Sequence, residues 1–424
     1  MMMPLIKKPT TGMKDVLPAE MKLRDYVTSL VKETYETFGF TPIETPAVEH
    51  IENLQSRQGG ENEKLIFRIL KRGEKLVLNP ETKEEDLADS GLRYDLTLPL
   101  SRYYAAHAAE LPSPFKALQI GPVWRADRPQ KGRFRQFVQC DIDILGEATN
   151  LAEIELITAT TTLLSKLGFH DFTVRINDRR ILKAMAAYSG FDEKDYDTVF
   201  IILDKMDKIG LDGVRRDLMD NGFDAGCVDR YMKLFEQDMT GEDAVISLCE
   251  KLGDHIPEEC AKGLAGIIGS VNRVKRASFS IVFDPTLVRG MSYYTGTIFE
   301  ISMDGFGGSV AGGGRYDEMI GRFTGNKVCA CGFSIGFERI ITILMDNGYE
   351  IPGSRQKYAF LIEKGADDAF IADVMEKAAK LREEGACVLV SMMNKNKKFQ
   401  KEQLENDGFI TDNIKEFYHS DFKN

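Results

Sequence analysis

The segment that decides the fold of this chain is residues 124–146, which read WRADRPQKGRFRQFVQCDIDILG. Its first half concentrates positive charge and interleaves it with aromatic rings. Arginine offers a rigid bidentate fork for phosphate or carboxylate, and rings stack on bases. Gly132 indicates a tight turn, so the two flanking strands would bring Arg125 and Arg133 toward one ligand. Taken alone, the run also fits a solvated hairpin loop. Its five cations are Arg125, Arg128, Lys131, Arg133 and Arg135.

The second half of this segment alternates as a strand does. One predicted face carries Phe137, Gln139, Asp141 and Asp143, and the other carries apolar side chains. A face with an amide and two acids is unusual for pure packing, so we expect it to line a polar cavity. Asp95 and Thr97 show the same two-residue spacing in 93–97, which also fits an exposed edge strand.

Further segments combine glycine with polar or aromatic residues. Residues 287–296 place Arg289, Tyr293 and Tyr294 beside two glycines, which permit close approach of a ligand to the backbone. Residues 312–317 (GGGRYD) predict a flexible turn into a helix. Residues 332–336 match the Gly-x-Ser-x-Gly pattern of serine hydrolases, but the only later histidine is in the terminal tail, which argues against that chemistry.

Composition excludes several classes of protein. The chain has 424 residues with 43% hydrophobic and 29% charged, and its formal net charge of -11 excludes a uniformly basic nucleic-acid coat. No apolar run approaches the roughly 18 residues that a membrane span needs, and the start shows no secretory signal. The 7 cysteines and 5 histidines are scattered, which offers no metal cluster. We therefore expect a cytoplasmic chain.

Periodicity divides the chain into four parts. A helix is predicted over 20–38, an extended stretch over 40–46, a hairpin with strands 65–70 and 75–78, and a second helix over 151–167. Charged helices dominate 172–277, strands return at 279–283 and 297–303, and the tail after Ser354 reads as a small α/β unit. Neither a P-loop nor a Gly-x-Gly-x-x-Gly turn opens a helix, so a P-loop is excluded and a Rossmann site is not favoured.

Together these segments resemble the class II aminoacyl-tRNA synthetases, and among them the histidyl-tRNA synthetase family. Residues 40–46 resemble motif 1, which builds the dimer interface around a proline, here Pro46. Residues 125–146 resemble motif 2, and 332–339 resemble motif 3 with its terminal arginine. Residues 287–300 resemble the histidine-specific signature, with Ser292 departing from it.

The resemblance implies an α+β fold, with a class II antiparallel-sheet catalytic core, a helical insertion and a small C-terminal α/β domain. The implied division is 1–174 and 278–350 for the core, 175–277 for the insertion and 355–424 for a short anticodon-binding-like domain. The family's anticodon domain has five strands in about ninety residues, whereas only about seventy follow Ser354 here. A basic helix over 395–403 would contact RNA or simply face solvent.

The resemblance also implies ATP-dependent activation of L-histidine and its transfer to tRNA(His) by a homodimer, with Mg²⁺ carried mainly on the ATP phosphates. Arg289, Arg125 and Arg339 would be catalytic. The implied histidine-binding residues are Asp95, Leu96, Thr97, Arg125, Gln139, Asp143, Arg289, Tyr293 and Tyr294. The implied ATP-binding residues are Arg125, Asp127, Arg133, Phe137 and Arg339.

Two other functions stay open on the sequence alone. A non-catalytic paralogue, the regulatory subunit of ATP phosphoribosyltransferase, would bind histidine without needing the arginines that clamp ATP. A synthetase-like protein could also activate an amino acid and charge another acceptor. The presence of Arg125, Arg133, Arg289 and Arg339 favours the synthetase.

Overall fold

The structure is a computed structural model that describes residues 5–55, 64–129, 134–235, 241–289, 293–303 and 308–422. Its chain separates into two compact units. The larger comprises residues 5–16 and 24–346, and the smaller comprises 17–23 and 347–422. Among the described residues, no helix combines the length and the apolar character needed to cross a lipid bilayer.

The strands run in chain order through both units. They are β1 (Thr41–Pro42), β2 (Val48–His50), β3 (Phe67–Leu70), β4 (Ala88–Leu92), β5 (Phe115–Trp124), β6 (Gln136–Leu145), β7 (Phe172–Asp178), β8 (Phe279–Phe283), β9 (Thr297–Ser302), β10 (Ser309–Arg315), β11 (Ala330–Ile335), β12 (Lys357–Ile362), β13 (Cys387–Met392) and β14 (Ile414–Phe417).

The helices connect or cover these strands. They are α1 (Pro18–Glu36), α2 (Ile51–Leu54), α3 (Thr97–His107), α4 (Leu151–Lys166), α5 (Arg179–Ser189), α6 (Tyr196–Leu203), α7 (Met206–Asp220), α8 (Ala225–Met232), α9 (Glu242–Leu252), α10 (Glu258–Val274), α11 (Gly321–Thr324), α12 (Phe337–Asp346), α13 (Asp368–Glu383) and α14 (Lys397–Asn406).

The main sheet of the larger unit is mostly antiparallel. Within the described residues it has eight strands in the order β1-β5-β6-β11-β10-β9-β7-β8, and only the outermost pairs, β1 with β5 and β7 with β8, are parallel. The long β5 and β6 pair from Phe115 opposite Leu145 to Trp124 opposite Gln136. Because β6 pairs with β5 on one side and with β11 on the other, it lies in the interior of the sheet.

The predicted hairpin of strands 65–70 and 75–78 is wrong. The strand β3 pairs antiparallel with β4 rather than with 75–78, and Gly73–Lys75 forms a single turn of 3-10 helix. Val77 and Leu78 are mostly exposed, so this apolar run does not mark a buried strand. The partner of β3 lies further along the chain, which local turn signals cannot indicate.

Two other local predictions are also wrong. Asp95 and Thr97 do not lie on a strand, because α3 begins at Thr97 and Asp95 Oδ1 accepts a hydrogen bond from the Leu98 N–H at 3.2 Å. Residues 312–314 form part of the central strand β10 rather than a turn. The predicted strands at 279–283 and 136–145 are confirmed.

The helical insertion lies between two strands of the main sheet. Helices α5 to α10 follow β7 and precede β8 in the chain. Because β7 runs to Asp178 and pairs with both β8 and β9, we propose 179–274 for the insertion in place of 175–277.

The smaller unit contains a three-stranded parallel sheet in the order β13-β12-β14 within the described residues. Strand β14 has four residues and was not predicted from the sequence, while the basic helix is α14. Phe360 and Ile362 pack with Phe370 and Val374 of α13 in its core.

Candidate active site

A cavity of about 590 Å³ opens in the larger unit and collects side chains from distant parts of the chain. The strand β6 supplies Phe137, Gln139, Asp141 and Asp143 to its wall, which confirms the face predicted from their alternation. Asp95, Thr97, Arg125, Asp127, Arg289, Tyr293, Tyr294 and Arg339 also line the cavity. The predicted site residues Asp95, Arg289 and Arg339 therefore line one cavity although they are far apart in the sequence.

One predicted residue in the described part of the chain is not part of this wall. Leu96 is almost fully buried in the core, and its carbonyl accepts a hydrogen bond from Gln119 Nε2 at 3.1 Å. The start of α3 directly after it fixes this segment, so Asp95 and Thr97 reach the cavity and Leu96 does not. Arg133 lies outside the described residues.

The cavity also contains polar residues that were not assigned from the sequence. Tyr316 donates a hydrogen bond to Asp143 Oδ1 at 2.6 Å, and Glu300 accepts one from Arg289 Nη1 at the same distance. Asp141 was on the predicted polar face but was not assigned a role. Tyr316 and Glu300 were not assigned, because the contact of Tyr316 with Asp143 depends on how β10, β11 and β6 pair, and that of Glu300 with Arg289 depends on the position of β9.

Buried acceptor atoms that lack a partner among the described residues converge on this wall. Asp95 Oδ2, Gln139 Oε1, Asp141 Oδ1 and Asp143 Oδ2 are buried and accept no hydrogen bond from the described residues. A buried polar atom without a partner costs about 1–3 kcal/mol, so native proteins rarely retain several together unless a ligand satisfies them. These acceptor atoms suit a ligand with several hydrogen-bond donors, such as one that carries an ammonium group and a ring N–H.

Burial also shifts the ionisation of the carboxyl groups. It raises the pKa of Asp95 to about 6, against the opposing effects of Arg125 and of the Leu98 N–H. It raises the pKa of Asp141 to about 7, and the nearby Asp95 adds to this effect. Burial and then Asp141 raise the pKa of Asp143 well above its ordinary value. A cationic ligand would therefore favour the ionised forms of these groups.

Arginines form the other part of the cavity. Arg125 Nε donates to the Tyr94 carbonyl at 2.9 Å, and its guanidinium lies 5.0 Å from the centre of the Phe137 ring. Arg339, in the first turn of α12, donates to the Ser309 carbonyl. Arg289 Nε is buried and has no hydrogen-bond partner among the described residues. These side chains can present positive charge to an anionic ligand.

Glycine lets a strand approach Arg289 closely. A Cβ atom on Gly312 would lie 2.4 Å from Arg289 Nη1, so a larger residue would displace the guanidinium. The acid Glu300 holds the other side, and Asp204, at the end of α6, also lines the cavity. Arg289 thus lies between the backbone of Gly312 and the carboxylate of Glu300.

Comparison with known proteins identifies the family. The family model described as histidyl-tRNA synthetase matches residues 12–340. The chain belongs to the histidyl-tRNA synthetase family. It is 47% identical over 347 residues to a histidine–tRNA ligase of Leifsonia xyli, covering 79% of this chain and 80% of that protein. It is 40% identical to a probable histidine–tRNA ligase of Tropheryma whipplei, covering 95% and 94%.

Solved structures agree with the fold of a histidyl-tRNA synthetase. The crystal structure of histidyl-tRNA synthetase from Nostoc sp. PCC 7120 matches with a TM-score of 0.76 and 28% identity over 96% of this chain and 90% of that one. An ATP phosphoribosyltransferase regulatory subunit/histidyl-tRNA synthetase from Bacillus halodurans C matches with a TM-score of 0.73, but its 20% identity shows the fold alone. The family and the fold class inferred from the sequence motifs are confirmed.

Proposed function

We propose that this protein is a histidine–tRNA ligase that activates L-histidine with ATP and transfers it to tRNA(His). One observation carries the proposal. Buried acceptors that suit a donor-rich amino acid share a single cavity with Arg125, Arg289 and Arg339. A purely regulatory histidine-binding protein would need the acceptors but not the arginines.

The acceptor-rich wall supports histidine as the amino acid. Its ammonium and ring N–H groups would satisfy Asp95, Gln139 and Asp143, each of which has a buried side-chain oxygen that accepts no hydrogen bond from the described residues. An apolar amino acid would leave these groups unpaired, and a site of this kind rejects such analogues by about 10⁴–10⁵-fold. We assign Thr97, Tyr293 and Tyr294, which line the same wall, to the histidine site.

The arginine-rich part supports ATP as the second reactant. We assign Arg125 and Arg339 to the phosphates, with Asp127 beside the nucleotide and Phe137 available to stack on the adenine ring. Arg133 is assigned from the sequence motif alone. Among the described residues, no group of three or more His, Cys, Asp or Glu is placed to hold a metal. We propose, from the resemblance to the family, that Mg²⁺ is held chiefly by the ATP phosphates, where it would neutralise their charge.

The arrangement needs no nucleophilic side chain. A carboxylate oxygen of histidine attacks the α-phosphorus, the bond to diphosphate breaks, and histidyl-adenylate forms. The protein's task is to hold two anionic reactants together and to stabilise the charge that develops. We assign that last role to Arg289, which Glu300 and the close backbone of Gly312 hold in place.

A histidine-dependent exchange of diphosphate with ATP tests the proposal. We expect exchange with histidine and ATP alone, without tRNA. Arg289→Ala should lower the exchange rate about 10²–10³-fold, as the loss of one transition-state donor does, while histidine binding stays measurable. Arg322→Ala, which removes an exposed arginine outside the cavity, is the matched control.

The outcomes separate the alternatives. A folded wild-type protein that binds histidine but shows no exchange would favour the regulatory function. Exchange without charging of tRNA(His) would indicate another acceptor. We also propose a homodimer built around the segment that contains Pro46 and a cytoplasmic location, where tRNA charging takes place. Sedimentation of the wild type and of a Pro46→Glu variant tests the dimer.

A further inference from the structure

Asp141 lies in the centre of the polar wall without a role in the proposed chemistry. In the sheet it stands opposite Gln119 of β5 and opposite Ser334 of β11. Residues directly opposite in a sheet share a face, so the three form a polar row across adjacent strands. Asp141 is only 4% exposed, yet it lines the cavity.

Its side chain contacts Gln139, two residues earlier on the same strand face. Gln139 Nε2 donates to Asp141 Oδ2 at 3.3 Å. At pH 8, above its pKa of about 7, the Asp141 carboxyl group is mostly ionised and only accepts hydrogen bonds, so this contact selects the amide orientation in which the NH₂ group faces Asp141. The other end of the amide, Gln139 Oε1, is then buried and has no partner among the described residues.

The opposite amide orientation would suit the ligand poorly. It would present an NH₂ group toward the ligand, which itself carries donors, and would place an amide oxygen against the Asp141 carboxylate. Two facing donors cannot form a hydrogen bond, and both would stay unsatisfied in a buried site. The value of Gln139 as an acceptor therefore depends on its neighbour.

We propose that Asp141 is a positioning residue for histidine recognition, because it orients the Gln139 amide so that Oε1 faces the donors of the ligand. This inference rests on the proposed function. Asp141 thereby contributes to specificity through another side chain. The contact with Gln139 uses Asp141 Oδ2, whereas Asp141 Oδ1, like Asp95 Oδ2 and Asp143 Oδ2, is buried and accepts no hydrogen bond from the described residues. The test must therefore distinguish positioning through Oδ2 from direct contact through Oδ1.

A double-mutant cycle tests this role by steady-state exchange kinetics. Asp141→Ala should raise the KM for histidine at least about tenfold, the cost of one buried hydrogen bond to a ligand, and leave the KM for ATP within about twofold. In a Gln139→Ala background, the same substitution should have little further effect, because residues that act as a unit are non-additive.

A conservative variant distinguishes orientation from charge. The carbonyl oxygen of Asn accepts the same bond from Gln139 Nε2, so Asp141→Asn should keep the KM for histidine within about threefold of the wild type at pH 8. Asp141→Leu, which fills the space without an acceptor, should behave as Asp141→Ala does and replaces it if that variant does not fold. Thermal unfolding of every variant establishes that each is folded.

Each result has one meaning. Additive effects of Asp141→Ala and Gln139→Ala would overturn the proposal, since Asp141 would then act without Gln139. An Asp141→Asn variant as impaired as Asp141→Ala would also overturn it and would indicate direct binding through charge. Absence of exchange in the wild type would instead reject the proposed function itself.

Discussion

At the scale of single residues, the cavity contains carboxyl groups whose ionisation is disfavoured in the protein without a ligand. Asp95, Asp141 and Asp143 are buried side by side, and burial raises the pKa of all three. For Asp141 and Asp143, neighbouring carboxylates raise the pKa further, since like charges disfavour ionisation. Specificity for a cationic amino acid is therefore obtained at the expense of stability in the free protein.

This arrangement predicts how stability depends on pH. Asp141 has a folded pKa of about 7, above the value near 3.9 of an unfolded Asp. The folded state therefore binds more protons across this window, and the free energy of unfolding falls as pH rises through it. Asp141→Asn cannot ionise, so it should gain on the order of 1–2 kcal/mol relative to the wild type between pH 5 and pH 8.

Chemical denaturation at pH 5 and pH 8, without histidine, measures this difference. Asp212→Asn is the matched control, because an exposed carboxyl has no burial cost to relieve. Its difference from the wild type should stay nearly constant between the two pH values. A constant difference for Asp141→Asn as well would show that Asp141 is not destabilised by ionisation.

Individual site residues were predictable where one local period governs them. The two-residue alternation of β6 correctly placed Gln139 and Asp143 on one wall, because strand geometry fixes side-chain direction. Asp95 reached the cavity for a different reason, as the acceptor that caps the start of α3. The hydrogen bond from Arg289 to Glu300 depends on the position of β9, which no local sequence pattern predicts.

At the scale of elements, β10 shows why a glycine run can be misread. Its neighbours β9 and β11 lie so close that a Cβ atom on Gly313 would fall 2.0 Å from the Gly332 carbonyl oxygen. Glycine within a strand often marks such a close backbone approach. Glycine runs are also common in turns, so the sequence alone predicted a turn where the structure has a strand.

The close packing of β10 predicts a large effect of a single methyl group. Gly313→Ala should lower the free energy of unfolding by about 3 kcal/mol or more, because backbone atoms must move to admit it. Gly266→Ala is the control, since this exposed glycine in α10 has open space around it. That variant should gain about 0.5–1 kcal/mol from helix propensity.

Thermal unfolding of both variants and the wild type measures the two effects. The unfolding temperature should fall for Gly313→Ala and rise for Gly266→Ala. If Gly313→Ala melts at the wild-type temperature, β9, β10 and β11 do not pack as described. Histidine-dependent exchange by Gly313→Ala should also fall, because Gly313 and its neighbour Gly312 line the cavity beside Arg289.

At the scale of the whole molecule, the proposed chemistry belongs to one compact unit. The described cavity residues lie between Asp95 and Arg339, all within the larger unit. The smaller unit has its own parallel sheet and core. The sequence predicted a small α/β unit after Ser354 but not β14, whose four residues are too few to establish a period. We propose that this unit contributes to tRNA binding rather than to histidine activation.

Removal of residues 355–424 separates the two contributions. We expect histidine-dependent exchange to stay within about fivefold of the full chain, because no described residue of the removed segment lines the cavity. The kcat/KM for charging tRNA(His) should fall by about 10²–10⁴-fold, as expected when one of two linked binding modules is lost. Charging at the full rate would show that the smaller unit does not bind tRNA. Full-length Lys395→Glu/Lys398→Glu, which reverses exposed charges at and before the start of α14, tests the same role without truncation, and its exchange rate serves as the internal control.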